Sequence, residues 1–188
     1  MASKTREQMI DGTVELLARG GMPQTSFATV LERTGSPRGS IYHHFPKGKD
    51  QLVSAAVETS GARSIAMIRA WRGDSAALLT EKFLAAWRQL LTAFDFTAGC
   101  AVLAVTTSTE SDDLLDRAAE VFRSWRAELA SLLTEGGLPE DQSAGVSSLL
   151  IASVEGAVVM CRAEKRIEPF DDVAAHLLAH VSALARDR

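Results

Sequence analysis

The chain has 188 residues, of which 46% are hydrophobic and 23% charged, and its formal net charge at pH 7 is −4. The hydrophobic content supports a packed core, and the negative net charge argues against a protein that binds nucleic acid over its whole surface. Two cysteines make no disulfide framework, and because no stretch resembles a signal peptide or approaches the roughly 18 uncharged apolar residues that cross a membrane, we expect a soluble cytoplasmic protein without a membrane partner.

The first 50 residues predict three helices. The first has a mostly apolar side at helical spacing, formed by Met9, Ile10, Thr13, Leu16 and Leu17. A second helix follows over residues 26–34, with Thr25 and Ser26 available to cap its first backbone N–H groups. Gly35 suits a sharp bend, Ser36 can cap a third helix, and Pro37 fits its first turn. Together these signals predict a helix-turn-helix, the arrangement that enters the major groove of DNA.

The third helix must be held by its neighbours, because isolated helices below about 12 residues are marginal in water. The apolar residues that can hold it are Phe27, Val30, Leu31, Ile41 and Phe45. Its outer face is polar or small, so Arg38 can fork onto guanine or phosphate and Gly39 lets the backbone approach closely. Donors suited to phosphate follow at Ser40, Tyr42, Lys47 and Lys49.

The charge distribution agrees with a DNA-binding segment at this end. Residues 1–50 hold 7 Lys and Arg against 5 Asp and Glu, whereas the remainder holds 13 against 19. The basic share therefore lies on the predicted helix-turn-helix, as a localised nucleic-acid surface requires. An ordinary surface hairpin of two helices is the alternative interpretation of residues 26–49.

Residues 35–52 carry a Tyr-x-x-Phe pattern, Tyr42 to Phe45, followed by Lys47, and they resemble the recognition-helix signature of the TetR family of bacterial transcriptional repressors. The Phe-Pro-Lys-Gly-Lys sequence at 45–49 and the pair Gly99-Cys100 resemble the branch that includes the LmrA and YxaF repressors. The specific match covers residues 5–55. Beyond it, only the number and order of helices are shared.

This resemblance implies which residues contact DNA. Those expected on phosphates are Thr25, Ser26, Tyr42, Lys47 and Lys49. Those expected nearest the base edges are Arg38, Gly39, Ser40 and His43. Many relatives have a single basic or aromatic residue where this chain has His43 and His44, so the sequence leaves open which imidazole faces DNA.

Apolar residues recur three and four apart through the rest of the chain, and we predict an all-α protein of about nine helices. The expected domains are a three-helix DNA-binding headpiece over residues 1–48 and a helical effector-binding and dimerisation domain over residues 49–188. Further helices are predicted over 50–72, 75–94, 111–135, 139–165 and 172–186, with a short apolar segment over 100–107. The inward residues expected in the helix over 111–135 are Leu115, Ala118, Phe122, Trp125, Leu129 and Leu132.

Aromatic and polar side chains of the second domain are candidates for a small-molecule pocket. Their spacing alone favours an ordinary core, whereas the family resemblance implies an effector pocket among these helices. The expected effector-binding residues are Phe83, Trp87, Phe94, Cys100, Thr106, Phe122, Trp125 and Glu155. An apolar, partly aromatic compound is the expected effector.

The helix over 139–165 has a surplus of small residues, which allow two helices to approach closely. Paired with the last helix and with the copies of both in a second chain, it would form a four-helix interface. The expected interface residues are Gly145, Ser148, Ala152, Gly156, Leu177 and Val181. The sequence therefore predicts a homodimer.

No pattern indicates an enzyme, a cofactor or a metal site. His176 and His180 stand four apart, a spacing that binds metal when another ligand joins, but no acidic or cysteine partner is evident near them. We therefore expect a repressor that a small effector releases from palindromic, double-stranded operator DNA. The alternatives are an activator or other DNA-binding regulator without an effector, and a small helical enzyme or carrier.

Overall fold

The structure is a computed structural model that describes residues 2–186, and this part of the chain contains nine α-helices and no strand. The helices are α1 (Ala2–Gln24), α2 (Phe27–Thr34), α3 (Arg38–His44), α4 (Lys49–Arg69), α5 (Ala76–Ala93), α6 (Ala101–Thr106), α7 (Asp112–Glu135), α8 (Glu140–Glu164) and α9 (Glu168–Arg186). The all-α prediction is confirmed.

The residues form two compact units. Unit 1 comprises Met1–Arg63 and Cys100–Phe122, and unit 2 comprises Ser64–Gly99 and Arg123–Arg188. Helices α4 and α7 each contribute residues to both units. The predicted domain boundary after residue 48 stays a prediction.

The helix-turn-helix forms as local sequence signals predict. Ser26 caps α2, its Oγ accepting a hydrogen bond from the Thr29 N–H at 3.1 Å, while the Ser26 N–H donates to the Thr29 hydroxyl at 2.8 Å. Gly35 ends α2 in the left-handed region with φ 64°, where glycine is favoured because it has no Cβ. Val30 of α2 and Ile41 of α3 are fully buried, as a three-helix core requires.

The expected cap of α3 is wrong. Pro37 rather than Ser36 is the N-cap residue, and no side chain caps this helix. The Ser36 hydroxyl instead accepts a hydrogen bond from the Thr34 hydroxyl at 2.8 Å. Because α3 lacks its own cap, it depends on packing through Ile41 and Phe45, both with no exposed surface.

Two further helix ends differ from prediction. Helix α4 stops at Arg69 rather than residue 72, because the next N–H groups bond three residues back, as Trp71 does to Ile68 at 3.1 Å, and tighten the chain into turns. Helix α9 starts at Glu168 rather than residue 172. Pro169 is tolerated in its first turn, where no N–H is needed.

One of the residues expected on the inward side of α7 is wrong. Leu114 is 1% exposed and Leu115 is 36% exposed, whereas Leu115 was expected inside. Adjacent leucines satisfy the same apolar pattern, so spacing alone does not distinguish them. The other inward positions of α7 agree for Ala118, Trp125, Leu129 and Leu132, which are buried, while Phe122 is half-buried.

Helix α8 is more apolar than expected. Its best 18-residue window has a mean hydropathy of 1.8, enough by length and composition for a membrane span, and this corrects the expectation that no segment comes near that limit. Half of that window is buried inside the protein, as in the core helix of a soluble protein. Helices α5 and α9 pack on α8 within unit 2, so we interpret it as a core helix.

A carboxylate of α7 joins two arginines within unit 2. Glu128 accepts hydrogen bonds from Arg69 at 2.8 Å and Arg72 at 3.3 Å, and its side chain is only 12% exposed. The hydrogen bond from Arg69 is the main reason that the pKa of Glu128 lies below its ordinary value. The charged form of Glu128 is therefore stabilised by folding.

Glu128→Gln is expected to lower the free energy of unfolding by about 1 kcal/mol at pH 7, because Arg69 loses its charged partner and Arg72 loses one of its two carboxylate partners. The folded pKa lies below the unfolded value of about 4.3, so this stabilisation is complete above that pH and is lost as the pH falls through the folded pKa. Urea unfolding midpoints at pH 7 and pH 3 check this. Glu81→Gln, a change at an exposed residue of α5, is the control. If the difference in unfolding free energy between the unmodified protein and Glu128→Gln were the same at both pH values, the prediction would be contradicted.

Candidate nucleic-acid interface

The outer face of α3 presents side chains to solvent while its inner face is anchored in unit 1. Arg38, Gly39 and His43 are exposed, and Tyr42 keeps 67% of its surface accessible. Ile41, between them in sequence, has no exposed surface. The short helix is therefore held from behind, and its polar side is available to another molecule.

Two side chains next to this face are more restricted. Ser40 is half-buried, and its hydroxyl donates to the Pro37 carbonyl oxygen at 2.6 Å. His44 is half-buried, with its ring centroid 6.5 Å from that of Phe45, whereas His43 is exposed. The sequence left open whether His43 or His44 faces DNA, and His43 has the more accessible side chain.

The predicted contacts at the start of α2 hold the turn between α1 and α2. Thr25 is 1% exposed, and its hydroxyl donates to the Gly21 carbonyl oxygen at 2.9 Å. Its backbone N–H donates to the Met22 carbonyl oxygen at 3.2 Å. Ser26 is half-buried and serves as the cap of α2. These hydroxyls stabilise the element that carries α3, and sequence spacing could not show that Thr25 lies inside.

The two lysines that follow α3 lie in different surroundings. Lys47 is exposed, and its backbone N–H donates to the Gln51 side chain at 3.0 Å. Lys49 is half-buried, and its Nζ donates to the Met22 carbonyl oxygen at 3.0 Å, linking the start of α4 to the end of α1. The side chain of Lys47 is thus the more accessible cation.

Two other basic residues of the headpiece pair with the same carboxylate. Arg33 of α2 donates to Glu15 of α1, with its Nε 3.0 Å from the carboxylate, and this hydrogen bond is the main reason that the pKa of Glu15 is lowered. Arg19 also pairs with Glu15 at 3.3 Å. Glu15 neutralises part of the positive charge of Arg19 and Arg33. Arg38 and Lys47 therefore supply the accessible positive charge nearest the outer face of α3.

Arg6 is a further cation that the sequence pattern did not single out. It is exposed, and its guanidinium lies 5.3 Å from the centroid of the Phe45 ring. Arg6 and Lys47 are among the residues that line a cleft of about 630 Å³, together with Arg117 and the carboxylates of Asp113, Asp116 and Glu120. The carboxylates make the interior of this cleft less suited to phosphate than the α3 face, which carries no carboxylate side chain.

The residues expected to bind an effector are divided between the two units. Unit 2 holds Phe83, Trp87, Phe94, Trp125 and Glu155, and unit 1 holds Cys100, Thr106 and Phe122. Glu155 is 7% exposed, a buried carboxylate in an otherwise apolar stretch of α8. Cys100 is 8% exposed, and its sulfur accepts the Leu103 N–H at 3.3 Å as the cap of α6. The effector-binding set stays a prediction.

The outer side of α8 is an exposed apolar strip. Its small members Gly145, Ala152 and Gly156 are exposed and Ser148 is half-buried. Larger apolar residues lie beside them, namely Leu149 at 43% exposure, Val159 at 53% and Met160 at 43%. Of the other two predicted interface residues, Leu177 is 6% and Val181 is 1% exposed, so both pack within their own chain.

Metal-ligating residues do not converge in the part of the chain that the structure describes, where no group of three His, Cys, Asp or Glu side chains could hold an ion. His176 and His180 are both exposed on α9.

Comparison with protein families gives two matches. The family of bacterial regulatory proteins called tetR matches residues 9–56, and the C-terminal domain of LmrA/YxaF-like transcriptional regulators matches residues 76–176. The HTH-type transcriptional regulator Rv0196 of Mycobacterium tuberculosis is 32% identical over 179 residues, which cover 92% of this chain and 91% of that protein. LmrA of Bacillus subtilis, also an HTH-type transcriptional regulator, is 26% identical over 97% of this chain and 95% of its own length.

Solved structures show the same fold. The regulatory protein TetR from Rhodobacter sphaeroides superposes with a TM-score of 0.82 at 22% identity, covering 93% of this chain and 97% of that one. A TetR-family regulator from Agrobacterium tumefaciens superposes with a TM-score of 0.81 at 20% identity, covering 96% and 98%.

Proposed function

Because this chain belongs to the TetR family, whose members are transcriptional regulators and not enzymes, we propose that it is a cytoplasmic, homodimeric repressor that leaves its operator when a small apolar or aromatic effector binds. The observation that carries the DNA-binding part is the solvent-exposed polar face of α3, backed by the fully buried Ile41. A helix anchored in this way can enter a major groove without disturbing its own core.

Each exposed side chain of α3 has a proposed task. Arg38 reads a base edge, because its guanidinium matches the paired acceptors of guanine, and Gly39 lets the backbone come close. Tyr42 donates to phosphate and His43 lies near the bases. Ser40 is a second donor, once its hydroxyl turns from the Pro37 carbonyl. Thr25 and Ser26 contribute through the start of α2, which they hold in place.

The lysines are proposed to neutralise phosphates beside the recognition site. Lys47→Ala should weaken binding to operator and random DNA alike and lower the slope of log K against log salt by about 0.9, because one phosphate contact releases about one counterion. Filter binding or fluorescence anisotropy across a salt series measures the slope. Arg126→Ala, which removes one exposed charge from α7 in unit 2, is the control. An unchanged slope in Lys47→Ala would contradict the phosphate contact.

The proposed dimer is supported by the apolar strip on α8, because adjoining exposed apolar residues often mark an interface between proteins. Its small residues permit close helix packing, so the strip and its copy would form a two-fold interface. Because Leu177 and Val181 are already buried in their own chain, we expect α8 to supply the main contacts. Two headpieces would then read half-sites about one helical turn, roughly 34 Å, apart on a palindromic operator.

Release by an effector requires a difference in affinity between two arrangements of the dimer. If the effector binds the arrangement that cannot bind DNA more tightly by about 1 to 3 kcal/mol, the population of the two arrangements shifts clearly. Helix α4 is continuous from one unit into the other, and we propose that it carries the change to the headpiece. The proposed effector contacts in unit 2 are Phe83, Trp87, Phe94, Trp125 and Glu155.

The experiment that tests this function is selection of duplexes from a randomised library, followed by binding to the intergenic DNA beside the protein's own gene. We expect one palindromic sequence to be enriched and to be released by an aromatic compound that also raises the melting temperature. Enrichment without any releasing compound would support an effector-independent regulator. Absence of sequence preference at low salt would overturn the proposal.

A further inference from the structure

Tyr42, the single tyrosine of the chain, lies on the outer face of α3. Although 67% of its surface is exposed, its ring contacts another aromatic ring. The centroids of Tyr42 and Phe27 lie 5.4 Å apart, and the ring planes meet at 85°. This edge-to-face arrangement is the one that aromatic rings prefer.

The Phe27 ring is attached to a well-fixed part of the backbone. Phe27 is the first residue of α2, directly after the cap Ser26, whose side chain and backbone both bond to Thr29. One turn later, Val30 has no exposed surface and anchors α2 in the core. Phe27 is only half-buried, so part of its ring serves as a surface against which Tyr42 can rest.

We propose that Phe27 is a positioning residue for DNA recognition, holding the Tyr42 phenol in one orientation before DNA arrives. A solvent-exposed side chain otherwise samples several rotamers and loses that freedom on binding. The edge-to-face contact restricts Tyr42 in advance, so less freedom is lost at the interface. This inference rests on the proposed phosphate contact of Tyr42.

A purely structural role of Phe27 makes different predictions. In that case Phe27→Leu would change stability but leave the orientation of Tyr42 and the operator affinity of the folded protein unaltered. Leucine keeps an apolar side chain at this position and removes only the aromatic ring. Leu31→Val alters the same helix one turn later and is the matched control, since Leu31 is half-buried as well.

The first measurement is made on the protein without DNA. Labelling with 3-fluorotyrosine gives a single fluorine signal from the chain, because Tyr42 is the single tyrosine. Phe27→Leu is expected to move this signal towards that of free fluorotyrosine, since the neighbouring ring current is lost, while Leu31→Val leaves it in place. An unmoved signal in Phe27→Leu, with unchanged melting temperature, would overturn the positioning role.

The second measurement is a double-mutant cycle on operator affinity, well below the melting temperature of each variant. Phe27→Leu is expected to weaken operator binding about two- to tenfold, which is the free energy of one aromatic pair expressed as a ratio of affinities. Phe27→Trp should restore part of the lost affinity. In the Tyr42→Ala background the same change should have almost no effect. Equal losses in both backgrounds would refute the coupling. If the unmodified protein prefers no duplex, the proposed function fails, whereas the fluorine signal still reports the ring contact independently.

Discussion

Gly156→Leu is expected to convert a dimer into a monomer in solution. Gly156 lies on the exposed side of α8, and apart from the adjacent turns of its own helix no atom of residues 2–186 lies within 4 Å of the place where its Cβ would stand. Within one chain, the leucine is therefore tolerated, and it favours the helix by up to about 1 kcal/mol relative to glycine. The clash arises only against a partner.

The size of this effect follows from two-fold symmetry. Overpacking a close contact costs about 1 to 3 kcal/mol, and a two-fold interface contains the substitution twice, so we expect a loss of about 2 to 6 kcal/mol in dimerisation free energy. Operator binding should fall with it, because one headpiece then reads one half-site alone. Light scattering and sedimentation measure the mass, and a helical circular dichroism spectrum with cooperative melting shows that the monomer still folds.

The control is Ala127→Leu, which enlarges an exposed small residue on α7 away from the proposed strip. It should leave the mass at that of a dimer. If Gly156→Leu also keeps the dimer mass, the small residues of α8 do not form the interface. A mass of one chain for the unmodified protein would remove the proposed dimer altogether.

Arg38→Ala is expected to reduce discrimination between operator and random DNA by about 1 to 3 kcal/mol, or roughly 5- to 150-fold. Arg38 is exposed at the first position of α3, and its side chain makes no ion pair or hydrogen bond within residues 2–186. Its loss should therefore leave the fold intact. Affinities for the selected operator and for a scrambled duplex, measured at one salt concentration, give the ratio.

Lys47→Ala is the comparison variant in the same headpiece, because it should weaken both duplexes by similar factors. Arg38→Ala should instead reduce the affinity for the operator far more than the affinity for the scrambled sequence. The preference for one base at one position of a half-site should also weaken. Equal losses on both duplexes would reassign Arg38 from base reading to phosphate contact.

The helix-turn-helix was predictable because its signals act over a few residues. The cap at Ser26 and the left-handed turn at Gly35 depend on neighbours no more than four positions away, and both are confirmed. The start of α3 was mispredicted, because Ser36 and Pro37 are both acceptable there and the competing hydrogen bond from Thr34 decides between them. Leu114 and Leu115 present the same difficulty on α7.

The sequence by itself determined an all-helical chain of the TetR family with its headpiece at the N-terminal end, since helical periodicity, capping residues and a short signature are local properties. Only the tertiary structure decided which side chains are accessible. Thr25 lies inside, Lys49 bonds to a carbonyl 27 residues away, Tyr42 rests on Phe27, and Leu177 and Val181 turn into their own unit. Burial depends on contacts between residues distant in sequence, and a local sequence pattern does not show those contacts.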